Sequence, residues 1–193
     1  LLGLGIKLHR LTDIDSPIQP GALNLIDIPY SLEVLPGTNS ESAGQLSLDT
    51  LGRAARYIKD GKSDILVTAP INKANIAQII PDFTGHTEFF ADSFHVRDIN
   101  MMLTCKELTV VLVTTHLPIK DLNRAIVQTK VESTIIRTEK YLRSLGIAHP
   151  RIAIAGLNPH AGEKGVLGRE EQEEIIPAVQ TCKNMGISVD GPF

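Results

Sequence analysis

Two histidines stand just past runs of β-forming residues, where enzymes gather metal ligands. TTHLP (114–118) presents His116 after the run 108–115, LTVVLVTT, and LNPHAGE (157–163) presents His160 after the run 151–156, RIAIAG. Neutral imidazole is a preferred ligand for zinc and other borderline divalent ions. Ligands in open α/β sheets collect outside the carboxyl ends of strands, so both rings are expected to meet one ion there. The pair makes no compact HExxH signature. It also falls one short of the usual three protein ligands of a catalytic site, so a third donor has to come from elsewhere. A histidine after a strand also serves as a plain hydrogen-bonding loop residue.

A second group of residues suits an anion. TAPINKANI (68–76) leaves the run 64–68, DILVT, and offers Asn72 and Lys73 at its carboxyl end. FTGHTEFF (83–90) sets Gly85, His86 and Thr87 ahead of an apolar helical stretch with Phe89, Phe90 and Phe94. Donors at a helix start fit a phosphate or a carboxylate, although Thr87 could equally cap its own helix. Two nucleotide motifs are excluded. Gly61-Lys62-Ser63 follows a helical run and has Arg56 where a P-loop needs its first glycine, and the spacing of Gly162, Gly165 and Gly168 is not G-x-G-x-x-G.

The elements that must carry these residues follow from periodicity and punctuation. Residues 1–44, rich in proline and glycine, read as irregular connection with short edge strands at 22–28 and 32–35. A helix is expected from Ser47 to Gly61, with Leu48, Leu51, Ala55 and Ile58 on one face. Residues 64–68 and 108–115 read as strands buried on both faces. The runs 100–104 and 108–115, three residues apart, make an antiparallel hairpin. Asp121 opens helical sequence that breaks near Thr129 and stops at Gly146. After the strand 151–156 comes a helix over 169–185 ending at Gly186, which Pro177 kinks or restarts. Its Glu170, Glu171, Glu173 and Glu174 read as a solvated face at the positive end of the dipole. This alternation predicts an α/β/α layered fold with a mixed sheet.

Composition narrows the partners. A net charge of −3 and the absence of any dense Lys/Arg block argue against a phosphate-neutralising nucleic-acid binder. No apolar stretch approaches the roughly 20 residues that span a bilayer, and the start has no signal-peptide pattern, so a cytoplasmic location is expected. Cys105 and Cys182 are too few for a disulfide framework and read as core thiols. The chain opens on Leu1 and breaks off after Phe193, which suggests a piece of something longer.

Taken together, TAPINKANI, FTGHTEFF, the strand at Met101, TTHLPIKD, GLNPHAGEKGVLGREE and the closing GPF resemble the 4-hydroxythreonine-4-phosphate dehydrogenase family of pyridoxal 5′-phosphate biosynthesis. The likeness covers residues 43–193 and is weaker before them, so 1–43 stay poorly assigned. The resemblance implies a partial chain of a two-domain dehydrogenase similar in fold to isocitrate and isopropylmalate dehydrogenases, with 44–193 as its central metal- and substrate-binding portion. It also implies a homodimer with a shared active site. His116 and His160 match the family's metal ligands, His86 and Thr87 its substrate contacts, and Lys73 a less constant one. The GEPAGIGP-like opening and the YHDQG-like segment with a third metal histidine, both usual in the family, do not occur in residues 1–193, so these residues alone are expected to be inactive.

The chemistry implied is oxidation of the C3 hydroxyl of 4-phosphooxy-L-threonine by NAD or NADP, assisted by a divalent metal such as zinc, magnesium or cobalt. Loss of carbon dioxide from the resulting β-keto acid would give 3-amino-2-oxopropyl phosphate. Two rivals stand beside it: a paralogue acting on another 4-phosphorylated sugar acid, threonate or erythronate, and a non-catalytic truncated remnant.

Overall fold

The computed structural model describes residues 5–30 and 34–193. It divides into two compact units, one ending at Ile99 and one running from Asn100 to Phe193. Of the expected strand at 32–35, residues 32 and 33 lie outside the described residues.

In the first unit, β1 (Leu8–Leu11) pairs in parallel with β2 (Leu23–Ile26), Leu8 opposite Leu23 and Leu11 opposite Ile26. α1 (Glu41–Lys59) begins well before the expected Ser47. Ser40 caps it, its extended backbone letting the hydroxyl accept from the Ala43 N–H at 3.2 Å, while Ser47 lies inside and donates to the Ala43 carbonyl at 2.8 Å. The added turns carry Gly44, which reads as linker in sequence but is a packing residue. A Cβ there would stand 2.4 Å from the carbonyl oxygen of Asn75, in α2 (Lys73–Ile76). Asn75 returns the contact, its Oδ1 accepting from the Ser40 N–H at 3.0 Å. α3 (His86–Phe94) completes the unit, and among its described residues Leu51, Ala55 and Ile76 are buried and apolar.

Residues 64–68 form no strand. Ile65 is 78% and Val67 88% exposed, because no strand among the described residues lies alongside to take their backbone groups or cover their side chains.

In the second unit the expected hairpin forms: β3 (Met102–Thr104) pairs antiparallel with β4 (Thr109–Val111), Met102 opposite Val111 and Thr104 opposite Thr109. It is shorter than the sequence suggests, and Leu108 and Val110 are exposed, so the reading of 108–115 as covered on both faces is corrected. α4 (Leu122–Ala125) follows a 3-10 turn, and the break before α5 (Gln128–Ser144) falls at Ile126 and Val127 rather than Thr129. β5 (Ile152–Ala153) pairs in parallel with β6 (Val189–Asp190), which the sequence reading missed. Backbone bonds extend this pairing from Gly156 N–H to Phe193 O at 2.9 Å and from Phe193 N–H to Ile154 O at 3.0 Å. Gly191 permits that approach, since a Cβ there would lie 2.3 Å from Ile154 O.

The core of this unit is one cluster: Val131 and Ile135 of α5 against Ile175, and Ala178, Val179 and Cys182 of α6 (Ile176–Asn184), closed by Ile126 and Val189. Spacings of three and four put these residues on facing helical stripes. Burying each aliphatic side chain stabilises by about 1.5–3 kcal/mol. Pro177 restarts the helix: it sits in the first turn of α6, where its missing N–H is no loss, behind a wide π-helical turn, Glu171–Ile175. Cys182 is a core thiol whose pKa burial pushes up, with Glu132 adding to the effect. Cys105 is exposed in the hairpin turn, against expectation.

The chain is thus a mixed α/β fold whose strands, among the described residues, form one antiparallel and two parallel pairs. No helix among those residues is long and apolar enough to cross a membrane.

Candidate functional site

The amino end of α3 is the first centre. Its N-cap is Gly85, with φ +154°, and no side chain caps the helix. Thr87 therefore lies inside the first turn and is not the cap that the sequence allows. The first-turn N–H groups have no intrahelical acceptors, and they sit at the positive end of the helix dipole. Lys73 comes to the same place: its Nζ is 3.5 Å from where a Cβ on Gly85 would stand, and Glu88 Oε2 approaches that point equally closely. Asn72 has a local duty, capping α2 by accepting from the N–H groups of Ala74 at 2.9 Å and Asn75 at 3.3 Å.

His86 and Thr87 line an open cavity of about 380 Å³ together with Asp64, Thr68, Phe90 and Phe94. The His86 ring stacks on Phe90 with centroids 6.3 Å apart, and its Nε2 is buried with no hydrogen-bond partner among the described residues. Asp64 and Thr68, read from the sequence as part of a buried strand, line this cavity beside His86 and Thr87.

The two candidate metal ligands, His116 and His160, belong to the second unit, each on a loop beyond its strand, and both are exposed. The His116 ring makes no hydrogen bond or ion pair among the described residues. The His160 loop is organised by Asn158, whose Oδ1 accepts from the N–H groups of His160 at 3.0 Å and Gly162 at 3.4 Å, while its Nδ2 donates to Leu167 O at 3.3 Å. His160 Nδ1 lies 3.2 Å from Glu163 Oε1.

These loops hold most of the backbone strain. Among the described residues, five that are not glycine have left-handed φ: His95, His116, Ala161, Glu163 and Lys164. Four of the five are His116 itself or neighbours of His160, and such residues concentrate at functional sites because only surrounding contacts can hold them there. With Gly162 and Gly165, the whole stretch 161–165 is left-handed.

Each ring suits a divalent ion. A ligating imidazole commonly turns its other nitrogen to a carboxylate, as His160 does to Glu163. No group of three His, Cys, Asp or Glu side chains that could hold a metal occurs among the described residues.

The family model for the pyridoxal phosphate biosynthetic protein PdxA matches residues 3–193. The chain is 42% identical over 178 residues to 4-hydroxythreonine-4-phosphate dehydrogenase of Pseudoalteromonas atlantica, covering 91% of this chain and 55% of that protein. It is 40% identical over 196 residues to the enzyme of that name from Pseudomonas aeruginosa, covering all of this chain and 60% of the relative. A crystal structure of 4-hydroxythreonine-4-phosphate dehydrogenase from Klebsiella pneumoniae superposes with a TM-score of 0.87 at 33% identity, over 97% of this chain and 58% of that one. The chain thus spans somewhat more than half the length of the relatives it matches. With its motifs in order and its backbone following theirs, it belongs to the PdxA family of pyridoxal phosphate biosynthetic proteins.

Proposed function

We propose that the protein carrying this chain is a metal-dependent, NAD- or NADP-linked dehydrogenase that oxidises and decarboxylates 4-phosphooxy-L-threonine to 3-amino-2-oxopropyl phosphate. The observation that carries this reading is the amino end of α3, where an uncapped first turn has the ammonium of Lys73 beside Gly85 and its His86 and Thr87 line an open cavity. An anionic phosphate ester fits the uncapped N–H groups and the Lys73 ammonium, so these residues, with His86 and Thr87, bind and orient the phosphorylated end of a small hydroxy-amino acid.

His116 and His160 would hold the divalent cation, zinc, magnesium or cobalt. When bound, the cation supplies Lewis acidity at the oxygen being oxidised. NAD or NADP would supply the hydride acceptor, the hydroxyl proton would pass to solvent or a base, and the β-keto acid formed would lose its carboxyl group as carbon dioxide. Glu163 fixes the tautomer and direction of His160. This reading takes 44–193 as the metal- and substrate-binding portion of a two-domain, isocitrate dehydrogenase-like α/β/α fold. A third ligand and the nicotinamide contacts come from outside residues 1–193, in a cytoplasmic homodimer.

The test is turnover of the metal-depleted and reconstituted protein with NAD and NADP. His116→Ala and His160→Ala should abolish metal-dependent turnover. His86→Ala, Thr87→Ala and Lys73→Ala should chiefly raise KM, by about 10- to 100-fold where a hydrogen bond to a charged group is lost. Turnover confined to threonate or erythronate 4-phosphate would replace the substrate assignment, and full activity in His160→Ala would remove the metal assignment.

A further inference from the structure

We infer that Glu171 is a positioning residue for the His160 loop, its buried carboxyl group acting as the post around which that loop is wound. The inference rests on the proposed reading of His160 as a metal ligand.

In sequence Glu171 is one of four acidic residues at a helix start, but the structure sets it apart from the rest. Glu173 is in solvent beside Arg169, and Glu174 accepts from the Gln128 N–H. Glu171 is only 2% exposed. It opens the π-helical turn Glu171–Ile175 and reaches back across fourteen residues, Oε1 accepting from the Leu157 N–H at 2.9 Å.

Its other oxygen meets the far side of the same loop. A Cβ on Gly162 would lie 2.6 Å from Glu171 Oε2, so the loop backbone closes directly over the carboxyl group. His160 stands between these two contacts, three residues after Leu157 and two before Gly162. The stretch it introduces, 161–165, is left-handed throughout. Non-glycine residues there cost about 1–2 kcal/mol each, a conformation that persists only if something holds it.

Oε2 has no hydrogen-bond partner among the described residues. An unsatisfied buried polar atom costs stability, so an apolar residue would serve the core better. A polar group kept in such a place points to a duty in the loop and away from one in packing.

The experiment uses cobalt(II) alone as probe on the protein that carries this chain, with metal affinity, the cobalt absorption spectrum and exchange of the Leu157 amide as readouts. His160→Ala should lower cobalt affinity, which establishes the underlying reading. Glu171→Ala should lower it by about 10- to 100-fold, as losing an outer partner of a ligand does, with a changed spectrum and an unprotected Leu157 amide. Glu171→Gln keeps the shape and the acceptor for Leu157, and should restore affinity, spectrum and protection together. Should Glu171→Ala fail to fold, Gly162→Ala pushes Oε2 aside without removing it and should lower affinity likewise. Cobalt binding as in wild type for Glu171→Ala, or for Gly162→Ala in its place, while His160→Ala loses it, overturns the inference and leaves the reading intact. Failure of Glu171→Gln to rescue also overturns the role as positional. Wild-type binding in His160→Ala removes the reading and the inference with it.

Discussion

Two glycines in one helix should respond to the same substitution with opposite signs. In the middle of a helix, glycine to alanine stabilises by about 0.5–1 kcal/mol because it removes backbone freedom from the unfolded chain. At Gly52 of α1 nothing lies within 4 Å of an added Cβ, so propensity acts unopposed and Gly52→Ala should be more stable by about that amount. At Gly44 the same Cβ meets Asn75 O at 2.4 Å, Asn75 C at 2.7 Å and Ile76 N at 3.1 Å. All three are backbone atoms that cannot rotate aside, and ordinary contact begins at 3.4 Å, so α1 and α2 must part by about 1 Å. Overpacking of this kind costs about 1–3 kcal/mol, and a rigid obstacle puts it at the upper end. Set against the propensity gain, Gly44→Ala should be about 2 kcal/mol less stable. It should also weaken the Ser40–Asn75 bond and move Lys73 away from Gly85, raising KM for a phosphorylated substrate. The assay is urea unfolding, comparing midpoints at unchanged slope, alongside KM. A Gly44→Ala protein as stable as Gly52→Ala would refute the argument that close approach of α2, and not helix termination, requires glycine there.

Core, thiol and charge give three further expectations. Ile135, 2% exposed in the second unit's cluster, should cost about 2–5 kcal/mol when replaced by alanine; a loss below 1 kcal/mol in urea unfolding would mean that this cluster is not the core. Thiol titration of the native protein should label the exposed Cys105 quickly and spare Cys182, whose burial both shields it and raises its pKa; equal rates would contradict the packing of α5 on α6. Asp190 is held below its ordinary pKa by the hydrogen bond and charge of Lys183 at 2.8 Å, with Arg151 adding to the effect. A folded value below the unfolded one gives stability that is present above about pH 4 and lost as pH falls through the folded value. Both side chains are largely in solvent, so Lys183→Met should lower stability only slightly at neutral pH, and the difference should vanish in acid; a gap that widens in acid would reverse the assignment.

What could be read from the residues was local. Gly61, Gly146 and Gly186 were recognisable as helix stops, and each takes left-handed φ where the last carbonyls of α1, α5 and α6 are satisfied: Lys62 N–H to Tyr57 O at 2.9 Å, Ile147 N–H to Leu142 O at 3.2 Å and Ile187 N–H to Cys182 O at 3.1 Å. Such motifs close within six residues, so sequence specifies them. The hairpin at 102–111 was legible for the same reason. The candidate site residues stood out because enzyme chemistry restricts which side chains serve after a strand or at a helix start.

Tertiary structure alone decided the rest. Whether residues 64–68 pair as a strand depends on a neighbour, and their own apolar run cannot provide it. Gly44 looked like a linker because its partner, the Asn75 carbonyl, is thirty-one positions away. Glu171 looked like one solvated acid among four. Burial is a property of what packs on a residue, and the loop that covers this carboxyl group returns to it only when Leu157 and Gly162 are brought against the π-helical turn.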